Sequence, residues 1–191
     1  MIRRFLAVSA TLASMTALAL PATALAADNS ANVNLNGFVT SACSMGSFGA
    51  ISSTINLGSL ANATDQLATI SGKFTQINGS WCNGASMISV VGTPIVATDF
   101  AGAPPTGFTK AVNYTVQAAG WTTTGGPSYT TTASQDGTGS TGAPTTAAQT
   151  SPQAATIFVL VNGFATPSAA DRLVSSPTYT GAITVTLTAT S

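Results

Sequence analysis

Ile183-Thr184-Val185-Thr186-Leu187-Thr188-Ala189-Thr190 decides how this chain is read. Every odd position is apolar and every even one is threonine. A β-strand sends successive side chains to opposite faces, so the run has one apolar face and one polar face. The β-branched threonines favour the same extended backbone. Packed at helical spacing, the apolar residues would be spread round the whole cylinder. The apolar face needs a cover, from another strand of this chain or from another chain; without one, a sheet edge stays open.

The same period recurs upstream. Val112-Asn113-Tyr114-Thr115-Val116 alternates cleanly, and Ile70 to Trp81 forms a longer strand pattern around Phe74 and Ile77, closed by a turn at Cys82-Asn83-Gly84. Ile55-Asn56-Leu57-Gly58-Ser59-Leu60 reads as a short strand. Met87 to Val91 and Ile95-Val96 read as one strand interrupted at Gly92-Thr93-Pro94, where proline withholds an amide from the ladder. Ile157-Phe158-Val159-Leu160-Val161 is continuously apolar, the pattern of a central strand covered on both faces. The last strand pattern runs from Tyr179 to Thr190. Residues 119–153 are rich in Thr, Ser, Gly, Ala and Pro and read as a long mobile or decorated loop, or as an extended hairpin turning at Asp136-Gly137. The class expected is all-β.

Composition narrows the chemistry. The chain has no histidine, and glutamate is missing as well. That removes the Ser-His-Asp triad, the Cys-His pair and the usual zinc sites. A two-carboxylate hydrolase would have to draw on Asp28, Asp65, Asp99, Asp136 and Asp171, which sit in polar, loop-like contexts. Lys73 in Ser71-Gly72-Lys73 reads as a solvent-facing strand residue, not a desolvated base. Asp136-Gly137-Thr138-Gly139 lacks the repeated acidic ligands of a calcium loop. No enzyme activity, cofactor or metal is expected. After residue 26 the cations are Lys73, Lys110 and Arg172 alone, so no basic patch is available for nucleic acid. With 5% charged residues, solubility rests on Thr, Ser, Asn and Gly, and charge repulsion offers little protection against self-association.

The N-terminus reads as an export signal over residues 1–26. Arg3-Arg4 precede an apolar run from Phe5 to Leu20, Pro21 breaks it, and Ala24-Leu25-Ala26 fits a signal peptidase. In an oxidising compartment the only two cysteines, Cys43 and Cys82, are expected to form one disulfide in preference to two buried thiols. It would close a loop of roughly 40 residues, worth about 3–4 kcal/mol by the chain-entropy model.

Val33-x-Leu35-x-Gly37-x-Val39 before Cys43, Ile55-Asn56-Leu57-Gly58 after it, Cys82 closing the long strand and Ile183-x-Val185-x-Leu187 at the end make up an ordered set. In order and spacing this set resembles the major-subunit pilins of chaperone–usher fimbriae, and more loosely the related spore coat U domains. The resemblance spans residues 27–191 except the segment 119–153. It departs at Thr190, where many members carry an aromatic residue, and in an arm that is short and polar before Val33.

The resemblance implies an incomplete immunoglobulin-like β-sandwich over residues 43–191, completed by a donor strand from a neighbouring subunit. Residues 27–42 would be the donor arm, with Val33, Leu35, Gly37 and Val39 entering the groove. Ile183, Val185 and Leu187 would line one wall of the acceptor. The implied partners are copies of the chain and other pilus subunits, a periplasmic chaperone and an outer-membrane usher; the implied location is a cell-surface fimbrium reached through the periplasm. Two rival readings stay open on the residues themselves. The Val33–Val39 alternation also suits the first strand of a self-complete sandwich in a monomeric, secreted binding or adhesive module. Trp81 and Trp121 read as packing residues, with a sugar-stacking surface as the rival.

Overall fold

The computed structural model describes residues 34–48, 53–140 and 142–190. The expected export signal and Val33 lie outside them. The chain divides into two units, residues 1–38 and 39–191. In the first, the described residues 34–38 form no strand and are exposed.

The second unit is all-β, and its described residues contain no helix. Its first strands are β1 (Cys43–Ser44), β2 (Ser47–Phe48), β3 (Lys73–Cys82), β4 (Ser86–Gly92) and β5 (Ile95–Ala97). Then follow β6 (Phe108–Thr109), β7 (Ala111–Ala119), β8 (Ser128–Thr130), β9 (Thr132–Ala133) and β10 (Gly139–Ser140). The last are β11 (Thr145–Gln149), β12 (Gln153–Ala165), β13 (Arg172–Leu173), β14 (Tyr179–Thr180) and β15 (Ile183–Ala189).

The main sheet runs β1-β3-β12-β7-β5-β14, with β2 added to β3 and β8 to β7. A second sheet is β11-β4-β15. Together the sheets curl into a half-barrel around one core, in which Ile88 and Val90 of β4 join Val112 and Val116 of β7 and Ile157 of β12. All five are fully buried. Each such aliphatic side chain contributes about 1.5–3 kcal/mol on leaving water.

The two sheets are connected at one corner. β4 pairs with β15 and β5 pairs with β14, so both partners leave the small sheet and enter the large one together. The crossing lies at Thr93-Pro94 on one path and Gly181-Ala182 on the other. There the Thr93 amide donates to the Ala182 carbonyl at 2.8 Å, and the Ala182 amide donates to Thr93 Oγ1 at 2.8 Å. The Tyr114 hydroxyl, reaching from β7, lies 2.9 Å from the Thr93 carbonyl and 3.1 Å from that of Ala182, so its single proton is offered to both. A side chain on either path would be crowded. A Cβ on Gly92 would stand 2.7 Å from the Tyr114 hydroxyl, and one on Gly181 would stand 3.0 Å from the Thr93 carbonyl. Burial raises the Tyr114 phenol to about 12, with a further push from Tyr129.

Several expectations hold and others are corrected. The long strand around Phe74 and Ile77 is β3, the alternation at Val112–Val116 lies in β7, and the Gly92-Thr93-Pro94 interruption is the sheet switch. Cys43 and Cys82 are disulfide-bonded and stand opposite each other in the β1–β3 register. β12 is central, between β3 and β7, but it is not covered on both faces: Ile157, Val159 and Val161 point into the core while Phe158 is 36% exposed. Residues 55–60 join no ladder. Asn56 Oδ1 accepts the Gly58 amide at 2.9 Å and Gly58 turns to φ +75°, which breaks the extended run, while Ile55, Leu57 and Leu60 pack against the core.

The segment 119–153 is not a loop decorating the surface. It supplies β8, the β9–β10 hairpin and β11, which flanks β4 along its length from Thr145 opposite Val90 to Gln149 opposite Ser86. Trp121 is buried, its indole N–H donating to Ser86 Oγ at 3.1 Å across the two sheets, and Tyr129 is buried too. The hairpin does turn at Asp136-Gly137. Ser134 and the Thr138 amide both donate to the Asp136 carboxylate, which lowers its pKa to about 2.

Two measurements check this account. Reducing the disulfide, or Cys43→Ser, is expected to lower unfolding stability by about 3–4 kcal/mol in denaturant titrations run with and without reductant. Identical midpoints would mean the bridge contributes nothing. Tyr114→Phe removes the hydroxyl donor to the Thr93 carbonyl while Ala182 keeps the Thr93 amide, and should cost about 0.5–1.5 kcal/mol. The folded phenol stays neutral to about pH 12 and an unfolded one ionises near pH 10, so its share of stability is whole below pH 10 and is lost between pH 10 and 12. The substitution should therefore blunt the alkaline loss as well as lower the neutral-pH midpoint.

Candidate functional site

β15 pairs with β4 along its whole length, from Ile183 opposite Gly92 to Ala189 opposite Ser86. Among the described residues no strand pairs with its other edge. Beside β15 opens a groove of about 1230 Å³. Ile77 of β3 and Val159 and Val161 of β12 line it from the main sheet, and Leu173 lines it as well. Ile183 and Val185 line it from β15, while Ile55 and Leu57 belong to the irregular segment before β3.

The groove holds little charge. Among the described lining residues Asp65 is the one carboxylate, and the other ionisable groups are two phenols, Tyr114 and Tyr179. Burial lifts Tyr179 to about 12, helped by the charge of Asp99, and its hydroxyl donates to the Val174 carbonyl at 2.9 Å. Both phenols are thus neutral across the physiological range. An apolar trough with neutral polar spots and an open strand edge suits an uncharged extended segment. Such a segment would offer main-chain groups to the edge and alternate side chains to the trough.

The expected acceptor residues fall as follows. Ile183 and Val185 line the groove; Leu187 does not, and packs on the core instead. Sequence reasoning did not find Ile77, Val159, Val161 or Leu173 as groove residues; the fold brings them together from well-separated strands. Their signal was each strand's buried face, readable only once the sheet order is known. Of the expected donor residues, Leu35 and Val39 are exposed, and an added Cβ at Gly37 would meet no atom within 4 Å.

A second exposed feature lies on the outer face of the main sheet. Phe74, Phe158 and Trp81 all reach solvent there, with Phe74 opposite Leu160 and Phe158 opposite Gln76. Trp121, the partner of Trp81 in a sugar-stacking surface, is in the core. Among the described residues no group of three or more Cys, Asp or Glu side chains could hold a metal ion. The buried carboxylate of Asp171 is held by Gln135, whose Nε2 lies 2.9 and 2.8 Å from its two oxygens. No family model, curated protein or solved structure matches this chain.

An apolar reporter dye should fluoresce on binding the trough. Val185→Asp places a carboxylate in its wall and is expected to remove most of that signal while the far-UV spectrum stays that of a β-protein. Equal dye binding by both proteins would mean the groove is not the apolar surface that the dye reaches.

Proposed function

We propose that this chain is an exported structural subunit of a bacterial surface fimbria, polymerised when the N-terminal arm of one copy enters the groove of the next. On this reading residues 43–191 form an immunoglobulin-like sandwich that lacks one strand. The single observation that carries it is the unpaired edge of β15 bordering an apolar groove.

Length and pattern support the fit. β15 has seven residues, about 23 Å at 3.3 Å per residue, and Val33 to Val39 is an arm of the same length. Val33, Leu35 and Val39 share one parity with Gly37 in register between them, as a strand lying over a trough requires, and Phe38 falls on the opposite face. Val33 to Val39 carries no charge, which matches a groove whose phenols stay neutral. Gly37, in register with Leu35 and Val39, would allow close backbone approach where the trough is shallow. A periplasmic chaperone would hold the β15 edge before assembly, since a lone subunit would expose it to indiscriminate pairing. An usher in the outer membrane would order the exchange. The Cys43–Cys82 bridge agrees with passage through an oxidising compartment.

A monomeric, secreted binding module is the second reading, favoured by the solvent-facing aromatics Phe74, Phe158 and Trp81. One experiment separates the two. The chain is expressed with and without residues 27–36 and compared by size-exclusion chromatography and electron microscopy. Strand exchange predicts multimers from the full chain and none from the truncated one, which should aggregate or require a chaperone. A stable full-length monomer whose solubility and assembly ignore the deletion would end the fimbrial reading.

A further inference from the structure

Four Asn-Gly steps occur in the chain, at Asn36-Gly37, Asn78-Gly79, Asn83-Gly84 and Asn162-Gly163. This dipeptide carries a latent reaction. The glycine's backbone nitrogen can attack the asparagine side-chain carbonyl carbon, because no side chain obstructs the approach and the glycine backbone turns freely. A new N–C bond closes a cyclic imide, the bond to Nδ2 breaks, and ammonia leaves with the amide proton. Water then opens the imide at either carbonyl. The product is an aspartyl residue, or an isoaspartyl residue in which the side-chain carbon has joined the main chain. No atom changes oxidation state, and water is the only co-reactant.

The reaction needs a backbone free to rotate about the asparagine and a glycine amide not committed to a ladder. At three of the four steps the fold restricts these freedoms. The Asn83 side chain is clamped at both ends: Oδ1 accepts the Ala42 amide at 2.7 Å and Nδ2 donates to the Thr40 carbonyl at 2.9 Å. Asn78 lies within β3, opposite Ser47 of β2, and its Oδ1 accepts from Thr156 at 3.0 Å. Asn162 lies within β12, opposite Thr115 of β7. Asn83 and Asn162 are exposed as Asn36 is, and Asn83 also belongs to no strand; Asn36 differs in combining exposure with neither a strand pairing nor a side-chain hydrogen bond among the described residues. The space beside Gly37 is open as well.

We propose that Asn36-Gly37 is a self-modifying site, which deamidates spontaneously while residues 34–38 are unpaired. The chemistry stands on this step having neither ladder pairing nor a side-chain hydrogen bond among the described residues; its meaning for assembly rests on the fimbrial reading. There the modification strikes the middle of the donor strand. It adds a carboxylate to an uncharged segment. In the isoaspartyl product it also adds one backbone atom, which puts side chains on one side of the lesion out of phase with those on the other. Pairing in a groove would fix the backbone and stop the reaction. Subunits that wait unassembled would lose their donor strand, and assembled ones would keep it.

The purified full chain is incubated at mildly alkaline pH, natively and in denaturant, then cut with trypsin and analysed by mass spectrometry with fragmentation that tells aspartyl from isoaspartyl. Cleavage at Lys73, Lys110 and Arg172 separates the steps: the fragment ending at Lys73 holds Asn36-Gly37 alone, 74–110 holds two steps and 111–172 the last. Asn36 should convert at a similar rate in both conditions, and the other three should convert at least an order of magnitude more slowly in the native protein. Native protection of Asn36 in the monomer fraction equal to that of Asn83 overturns the proposal. Gly37→Ala, where the added methyl meets nothing, should slow conversion with no change in thermal midpoint; a variant converting at the original rate also overturns it. If multimers form, Asn36 within them should be protected. If none form, the fimbrial reading fails, while the native-against-unfolded comparison still decides the site.

Discussion

One phenolic hydroxyl stands where two strand paths leave one sheet for another. At that corner the Thr93 and Ala182 carbonyls turn away from regular ladders, and Pro94 has no amide to offer. The Thr93 amide already serves the Ala182 carbonyl, and a hydrogen bond at such a part-buried place is worth about 0.5–1.5 kcal/mol. Tyr114 supplies the donor from the middle of the central sheet, and Gly92 and Gly181 leave it room. The position of β15 follows from this. Because the path from β14 to β15 turns at Ala182, β15 lies along β4 with its far edge unpaired among the described residues, and Ile183 and Val185 line the trough. The candidate site is therefore a product of the corner, not an independent loop device.

Much of this fold was legible in the sequence because period-two alternation is a strong signal wherever one face is apolar. Val112 to Val116 and Ile183 to Ala189 are strands for the reason they look like strands. The run Ile157 to Val161 misled about burial. A continuous apolar stretch suggests cover on both faces, yet Phe158 reaches solvent beside Gln76. The largest difference lies at 119–153. β11 is Thr-Thr-Ala-Ala-Gln, half-buried on one face and exposed on the other, with side chains too small and too polar to show that face in sequence. Its place is set by Trp121, whose burial and bond to Ser86 tie the segment to both sheets. At the site, the β15 wall was readable from alternation. Ile77, Val159, Val161 and Leu173 were not, because which strands lie side by side is decided by long-range pairing.

The sparse charge of the chain has a coherent role in this architecture. The groove, apart from Asp65, and the segment 33–39 both lack charged groups, so no long-range field steers or repels them. Under the proposed strand exchange, recognition would depend on shape, on main-chain hydrogen bonding and on the parity of alternate side chains. All three are sensitive to single-atom changes in the backbone. Interfaces of this kind gain specificity from register, and they lose it when register is disturbed.

The bridge between Cys43 and Cys82 also has a mechanical consequence. A pull on the chain ahead of residue 43 reaches Cys43 first, and the bridge passes it directly to Cys82 at the end of β3. The stretch between the two cysteines, 39 positions of sequence separation that includes β2, the groove-lining segment 53–61 and nearly all of β3, lies outside the covalent line of tension. Asn83, one residue further on, reinforces the junction by gripping Thr40 and Ala42. The disulfide is thus a shunt: tensile load applied ahead of residue 43 bypasses the part of the groove's lining that lies between the two cysteines, which need not unfold when the molecule is stretched.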